Sequence, residues 1–195
     1  MTRLAVFTPL PPSASGIGQY SAELLPFLGR DLDVYLADDA PEPVAPPAGV
    51  MPRRVAEWSA RRDGYDTIIY QVGNNPDHAY ALAQAETTPG ILVLHDVVLQ
   101  HLQVWRALHE GPPAAARYRA EMARRYGAVG DRAAAALLAN QTPDQPLAAF
   151  PLCETAVEQS RAVIVHNRFA SELLRRYCPD APVTVVPHGV PLLPP

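Results

Sequence analysis

Residues 4–28 read "LAVFTPLPPSASGIGQYSAELLPFL". The apolar run at 4–7 has strand character, and the proline-rich stretch after it ends in Ser15-Gly16-Ile17-Gly18. From there Ile17, Tyr20, Leu24 and Leu28 recur at helical spacing, with Pro26 expected to kink or end the helix. Glycines after a strand and before a helix let backbone N–H groups approach an anion or a sugar closely, and the helix N-terminus behind them adds a favourable dipole. Gly16-Ile17-Gly18 lacks the third glycine of the dinucleotide fingerprint and the Lys-Ser/Thr pair of a phosphate loop. Its spacing alone therefore fits an ordinary strand-to-helix turn better than a binding loop.

The same alternation continues along the chain. Short apolar runs at 4–7, 67–70, 91–94, 162–165 and 183–186 are continuous rather than alternating and rich in valine and isoleucine, as parallel strands covered on both faces require. Residues 33–36 make a sixth. Helical patterns lie between them, one with Phe169, Leu173, Leu174 and Tyr177 on a face. Asn75-Pro76 and Asn167 are suited to cap helices. The expected fold class is α/β, a single Rossmann-like, doubly wound, mainly parallel sheet with helices on both faces. Residues 38–52, with five prolines, read as a stiff surface connection. Residues 97–160 read as a helical excursion, broken at 111–113 and 142–146, that is longer than a crossover needs.

Composition narrows the function classes. The chain has 195 residues, 48% of them hydrophobic, which suffices for one sizeable core, and residues 1–195 are expected to form one domain. A net charge of −4 offers no general attraction for nucleic acid or an acidic membrane. All sixteen basic side chains are arginine, which reads as coding bias and carries no function. Cys153 and Cys178 are too few for a disulfide framework and lack zinc-site spacing, so buried thiols are expected. The apolar stretch near the N-terminus is too short for a signal peptide, and no run reaches membrane-spanning length, so a cytoplasmic protein is expected.

The most informative pattern lies just beyond the strands. Gly73-Asn74-Asn75, His95-Asp96, His166-Asn167 and His188-Gly189 each follow an apolar run, and ligands of open parallel sheets bind beyond the carboxyl ends of the strands. Taken singly, His95-Asp96 reads as a capping pair and His188 as a turn residue. Their convergence on one sheet edge, with the glycine loop, reads as a binding site.

In order and spacing, residues 9–28, "YQVGNNPDHAY" (70–80), "PGILVLHDVVLQHL" (89–102), "AVIVHNRFASELLRRY" (162–177) and "VTVVPHGV" (183–190) resemble the N-terminal half of retaining glycosyltransferases of family 4, which have the GT-B fold. The resemblance implies an acceptor-binding domain facing a second, donor-binding domain across a cleft. It places Ser15, Gly16, Gly18, His188 and Gly189 near the donor's diphosphate. It sets His95 beside the transferred sugar as the catalytic histidine, and puts Tyr20, Asn74, Asn75, His78 and Asp96 on the acceptor side. The expected partners are a nucleotide-sugar donor, an acceptor and a C-terminal donor-binding domain, with no cofactor and no metal. Neither Asp96 nor Glu23 is placed well enough to be named a general base.

The sequence also departs from the family. The two glutamates eight positions apart in the second half of such enzymes, one of which contacts the donor sugar, have no counterpart here, so the expectation is an acceptor half that is inactive alone. Two other readings remain open: a non-catalytic partner subunit of a split glycosyltransferase, and an unrelated nucleotide-binding oxidoreductase, for which Asp38 and Asp39 lie near the required distance beyond the glycines. Arg117, Arg119, Arg124, Arg125 and Arg132, near Trp105, admit docking on an anionic membrane to reach a lipid-linked acceptor. A solvated helix face is the better reading, because Glu121 sits four residues from both Arg117 and Arg125.

Overall fold

A strand buried on both faces is apolar at successive positions, and among the described residues six of the seven strands lie where the apolar runs lie. A computed structural model describes residues 2–29, 32–43 and 46–189. Residue 190, which closes the last segment of the family resemblance, lies outside the described residues. In chain order the elements are β1 (Leu4–Phe7), α1 (Gly16–Leu24), β2 (Leu32–Leu36), β3 (Val50–Arg54), α2 (Trp58–Arg61), β4 (Thr67–Val72), α3 (Ala79–Ala85), β5 (Ile91–Leu94), α4 (Gln100–His109), α5 (Pro112–Leu138), α6 (Glu154–Gln159), β6 (Ala162–Val165), α7 (Arg168–Tyr177) and β7 (Val183–Val185). The strands form one sheet in the order β3-β2-β1-β4-β5-β6-β7, parallel at every pairing. This is a Rossmann-like, doubly wound α/β fold.

The order reverses between β1 and β4. From β1 the chain winds outward to β2 and β3, then crosses back to pair β4 on the other side of β1. Side chains alternate between the two faces. Val6, Val34 and Leu36 join Leu25, just beyond α1, in one cluster, whereas Phe7, Tyr35, Tyr70 and Val72 join Ala81 and Leu82 of α3 and Leu174 of α7 in another. A third cluster fills the helical excursion, around Tyr118, Met122 and Phe150.

Three expectations are corrected. Residues 50–54 belong to a strand rather than to a surface connection. Pro52 lies within it, opposite Val34, and β3 is an edge strand, where a proline is tolerated. The buried stripe of α1 is Gly18 and Ser21, continued by Leu25, and Ile17, Tyr20 and Leu24 flank it half-buried. Phe169 is 73% exposed, because it precedes the buried Leu174 by five residues and so sits about 140° around the helix from it. Pro26 acts as expected: α1 ends at Leu24 and a single 3₁₀ turn, Leu25–Phe27, comes next.

In the excursion, α5 bends sharply at Gly127, whose φ is +63°. Arg119 and Asp131 are paired at 2.6 Å although a straight helix would set them about 18 Å apart, so the chain folds back on itself at the bend. The arginines there are largely committed to carboxylates. Glu121 pairs with Arg124 and Arg125, and Arg125 also with Glu158 of α6. Both cysteines are buried and free. Among the described residues no helix is long and apolar enough to cross a membrane.

Candidate functional site at the carboxyl edge of the sheet

With all strands parallel, the loops after β1, β4, β5, β6 and β7 emerge on one edge, and the reversal between β1 and β4 opens a crevice there. A cleft of about 480 Å³ occupies it. Ser15, Gly16, Tyr20, Asn74, Asn75, His78, His95, Asp96, His188 and Gly189 all line this cleft, and Gly18 is buried behind it.

The α1 end of the cleft is built around Ser15. Its side chain caps the helix by accepting from the Gly18 N–H at 3.2 Å, and it lies 3.3 Å from Nε2 of His78. His78 donates its Nδ1–H to the Gln71 carbonyl at 3.1 Å, so its Nε2 is the acceptor and the serine hydroxyl the donor. His78 is 1% exposed, and burial lowers its pKa. It therefore braces the loop from beneath as a neutral ring. The capping bond leaves the N–H groups of Gly16 and Ile17, which have no partner within the helix, at the cleft.

The two glycines differ in what they permit. A Cβ on Gly18 would stand 3.2 Å from the Pro9 carbonyl oxygen, so close packing of α1 on the preceding loop accounts for it. A Cβ on Gly16 would meet nothing within 4 Å. Nothing in the packing of the chain calls for a glycine at 16. Three residues beyond Gly18, where the dinucleotide fingerprint has its third glycine, stands Ser21, whose hydroxyl is 2.7 Å from that of Thr8 after β1.

Across the cleft, the loop after β4 is tied to that after β5. The Asn74 N–H donates to Asp96 at 2.8 Å, and the Asn74 side-chain carbonyl accepts from the Leu102 N–H at 3.0 Å. Asn75 caps the next turn by accepting from the Asp77 N–H. Each asparagine thus uses its side-chain oxygen structurally, and its NH₂ makes no hydrogen bond among the described residues. Gly73 makes room for Ile17: a Cβ there would lie 2.3 Å from the end of that side chain.

His95 is held by a residue that the strand-end pattern did not single out. Oε1 of Gln71, a buried amide inside β4, accepts from His95 Nε2–H at 2.7 Å. Nδ1 is then the ring's free lone pair. Burial, reinforced by repulsion from His166, His188 and His78, pushes the His95 pKa down to about 3, so the ring is neutral at physiological pH. The signal for Gln71 was present in the sequence as an amide inside an otherwise apolar parallel strand. His166, noted there only as a strand-end residue, also joins the site. It donates Nδ1–H to the Val186 carbonyl at 2.8 Å, and its Nε2 is shielded from solvent without a partner. The Tyr20 ring stands edge-on to His95, His166 and His188 at 5.1 to 5.6 Å between centroids.

Chemically the cleft offers the neutral imidazoles of His78 and His95, amides, one carboxylate at Asp96 and helix N–H groups, and no arginine among the described residues lines it. Such a set suits hydroxyl groups and, near α1, part of an anion. A second cleft of about 480 Å³ lies alongside, sharing the loop after β1, with Trp105, Tyr80 and Asp77 in its wall. No protein-family model, curated protein or solved structure matches the chain.

Proposed function

We propose that this chain is the acceptor-binding half of a retaining glycosyltransferase, which moves a sugar from a nucleotide-sugar donor to an acceptor hydroxyl. The observation that carries the reading is the state of His95. It is a neutral imidazole, oriented by Gln71 and left with one lone pair, in the same cleft as the α1 N-terminus and Gly16. In this reading Nδ1 of His95 accepts a hydrogen bond from a hydroxyl of the transferred sugar. The N–H groups of Gly16 and Ile17 meet an oxygen of the donor's diphosphate, with Ser15, Gly18, His188 and Gly189 shaping that end. Tyr20, Asn74, Asn75 and Asp96 face the acceptor, and His78 holds their platform.

A retaining transfer of this kind requires no metal. It is accelerated by placing the acceptor hydroxyl on the face the leaving group departs from, and by positive dipoles at the departing diphosphate. The arginine-free lining agrees with a diphosphate whose charge is met chiefly by a second, donor-binding domain. The neighbouring cleft, with Trp105 in its wall, has room for the body of the acceptor.

The test is calorimetric titration of the chain with nucleoside diphosphates and nucleotide sugars, then transfer assays with and without a donor-binding domain supplied separately. Weak binding and no transfer by the chain alone, with transfer restored by the added domain, is the expected outcome. Robust transfer by these 195 residues alone would overturn the half-enzyme reading.

A further inference from the structure

The ends of β5, β6 and β7 bring three histidines together, more than a single sugar contact requires. His95, His166 and His188 each place one ring nitrogen within 4.8 Å of those of the other two. Two of them already carry the outer bond that orients metal-bound imidazoles, in which the far ring nitrogen donates to a carbonyl. For His166 the acceptor is the Val186 backbone, and for His95 it is the Gln71 amide. Each bond fixes a tautomer with its lone pair on the opposite nitrogen, Nε2 of His166 and Nδ1 of His95. The His166 nitrogen is shielded from water and has no partner, a state that is unfavourable unless something occupies it.

We propose that His95, His166 and His188 bind one divalent transition-metal ion, zinc being the best match. Three imidazoles select zinc, copper or nickel over magnesium and calcium, which prefer oxygen. Three protein nitrogens leave a fourth tetrahedral position for water or a substrate oxygen. Zinc–nitrogen bonds of about 2.0–2.1 Å set ligand nitrogens about 3.4 Å apart, so the cluster tightens by about 1.4 Å at its widest. His188 supplies the movement: it is exposed, lies beyond the end of β7, and is stacked on His166 at 3.7 Å, a stack it leaves to turn its lone pair inward. The ion site does not depend on the sugar-transfer reading. Where both hold, metal and sugar compete for the same lone pair of His95.

The experiment uses the chain stripped with EDTA and titrated with zinc chloride by calorimetry, and with cobalt(II) monitored by visible absorption. One zinc per chain is expected, together with cobalt bands of tetrahedral intensity. His166→Ala and His188→Ala should each weaken zinc binding by about 100-fold or more, and Gln71→Ala by about 10-fold through loss of orientation. His101→Ala, which removes an exposed imidazole of α4, should change nothing. Circular dichroism checks that each variant folds, and His188, being exposed, keeps the test intact should the His166 variant fail to fold. The proposal is overturned by the absence of saturable binding, or by binding that His188→Ala leaves unchanged or His101→Ala weakens equally.

Discussion

His95 and Gly16 separate what the site does from what the fold needs. Nε2 of His95 is fastened to Gln71, and Nδ1 is the group a sugar hydroxyl would meet. In an enzyme completed by a donor-binding domain, His95→Ala should lower kcat by about 10²-fold or more at temperatures where the variant stays folded, because it removes a contact that strengthens in the transition state, while Tm falls modestly as the buried Gln71 amide loses its partner. Steady-state kinetics beside thermal melts check this, and an unchanged kcat with a lowered Tm would make His95 a structural residue. Gly16→Ala is the sharper substitution. With open space around a new Cβ, the chain should keep its stability to within about 0.5 kcal/mol, while nucleotide-sugar affinity falls as the methyl group blocks backbone approach. Undiminished affinity would remove the glycine loop from the site.

His78 carries a pH dependence whose sign is set by its burial. Its native pKa lies below the ordinary value of about 6.5, so below that pH the unfolded chain takes up a proton that the native chain refuses. Its contribution to stability is therefore complete above about pH 6.5 and lost as pH falls toward the depressed native pKa. Denaturant midpoints measured in EDTA from pH 7 to 5 should decline, and less steeply in His78→Asn. Equal slopes would assign the pH dependence to other groups.

Elements were legible where one requirement governed several adjacent residues. The strands β1, β5 and β6 are continuous apolar runs, and β2 and β4 nearly so, because the inner strands are covered on both faces, whereas β7, an edge strand, is short and half-exposed. β3 was not legible, since "VMPRR" has one strand neighbour and tolerates a proline and two arginines at the sheet edge. The buried stripe of α1 was read one position off because its contact with the sheet uses the small residues Gly18 and Ser21, which carry no hydrophobic signal. In the excursion, hydrogen bonds from Arg124, then from Arg125 and Thr155, hold the Glu121 carboxyl down to about 2. That stabilisation is present above the unfolded value of about 4.3 and is lost as pH falls toward 2. Glu121→Gln should cost about 1 kcal/mol at pH 7, a modest figure because water screens the pairs, with the gap to the parent chain closing between pH 4 and 2. A gap independent of pH would point to packing rather than charge.

For the molecule as a whole, the parallel sheet makes the edge inevitable. Seven strands pointing one way, with the winding reversed between β1 and β4, deliver the loops bearing Gly16, Asn74, His95, His166 and His188 to one crevice. That much could be inferred from histidines and glycines placed just after apolar runs. The partners of those histidines could not, because Gln71 reaches His95 across two neighbouring strands and Val186 reaches His166 from the next, and strand order is a property of the assembled sheet. In the proposed reading this crevice is one wall of a transfer site, and a single wall binds weakly because few contacts offset the entropy of association. The most direct measurement is a ¹H–¹⁵N correlation titration of the chain with a nucleotide sugar such as UDP-glucose, after EDTA treatment, with the imidazole resonances tracked in parallel. Shifts confined to residues 15–18 and 73–75 and to the rings of His95 and His188, saturating at millimolar concentration or about 4 kcal/mol of binding, are the predicted result. No shift at that edge, or the largest shifts on another surface, would contradict the assignment.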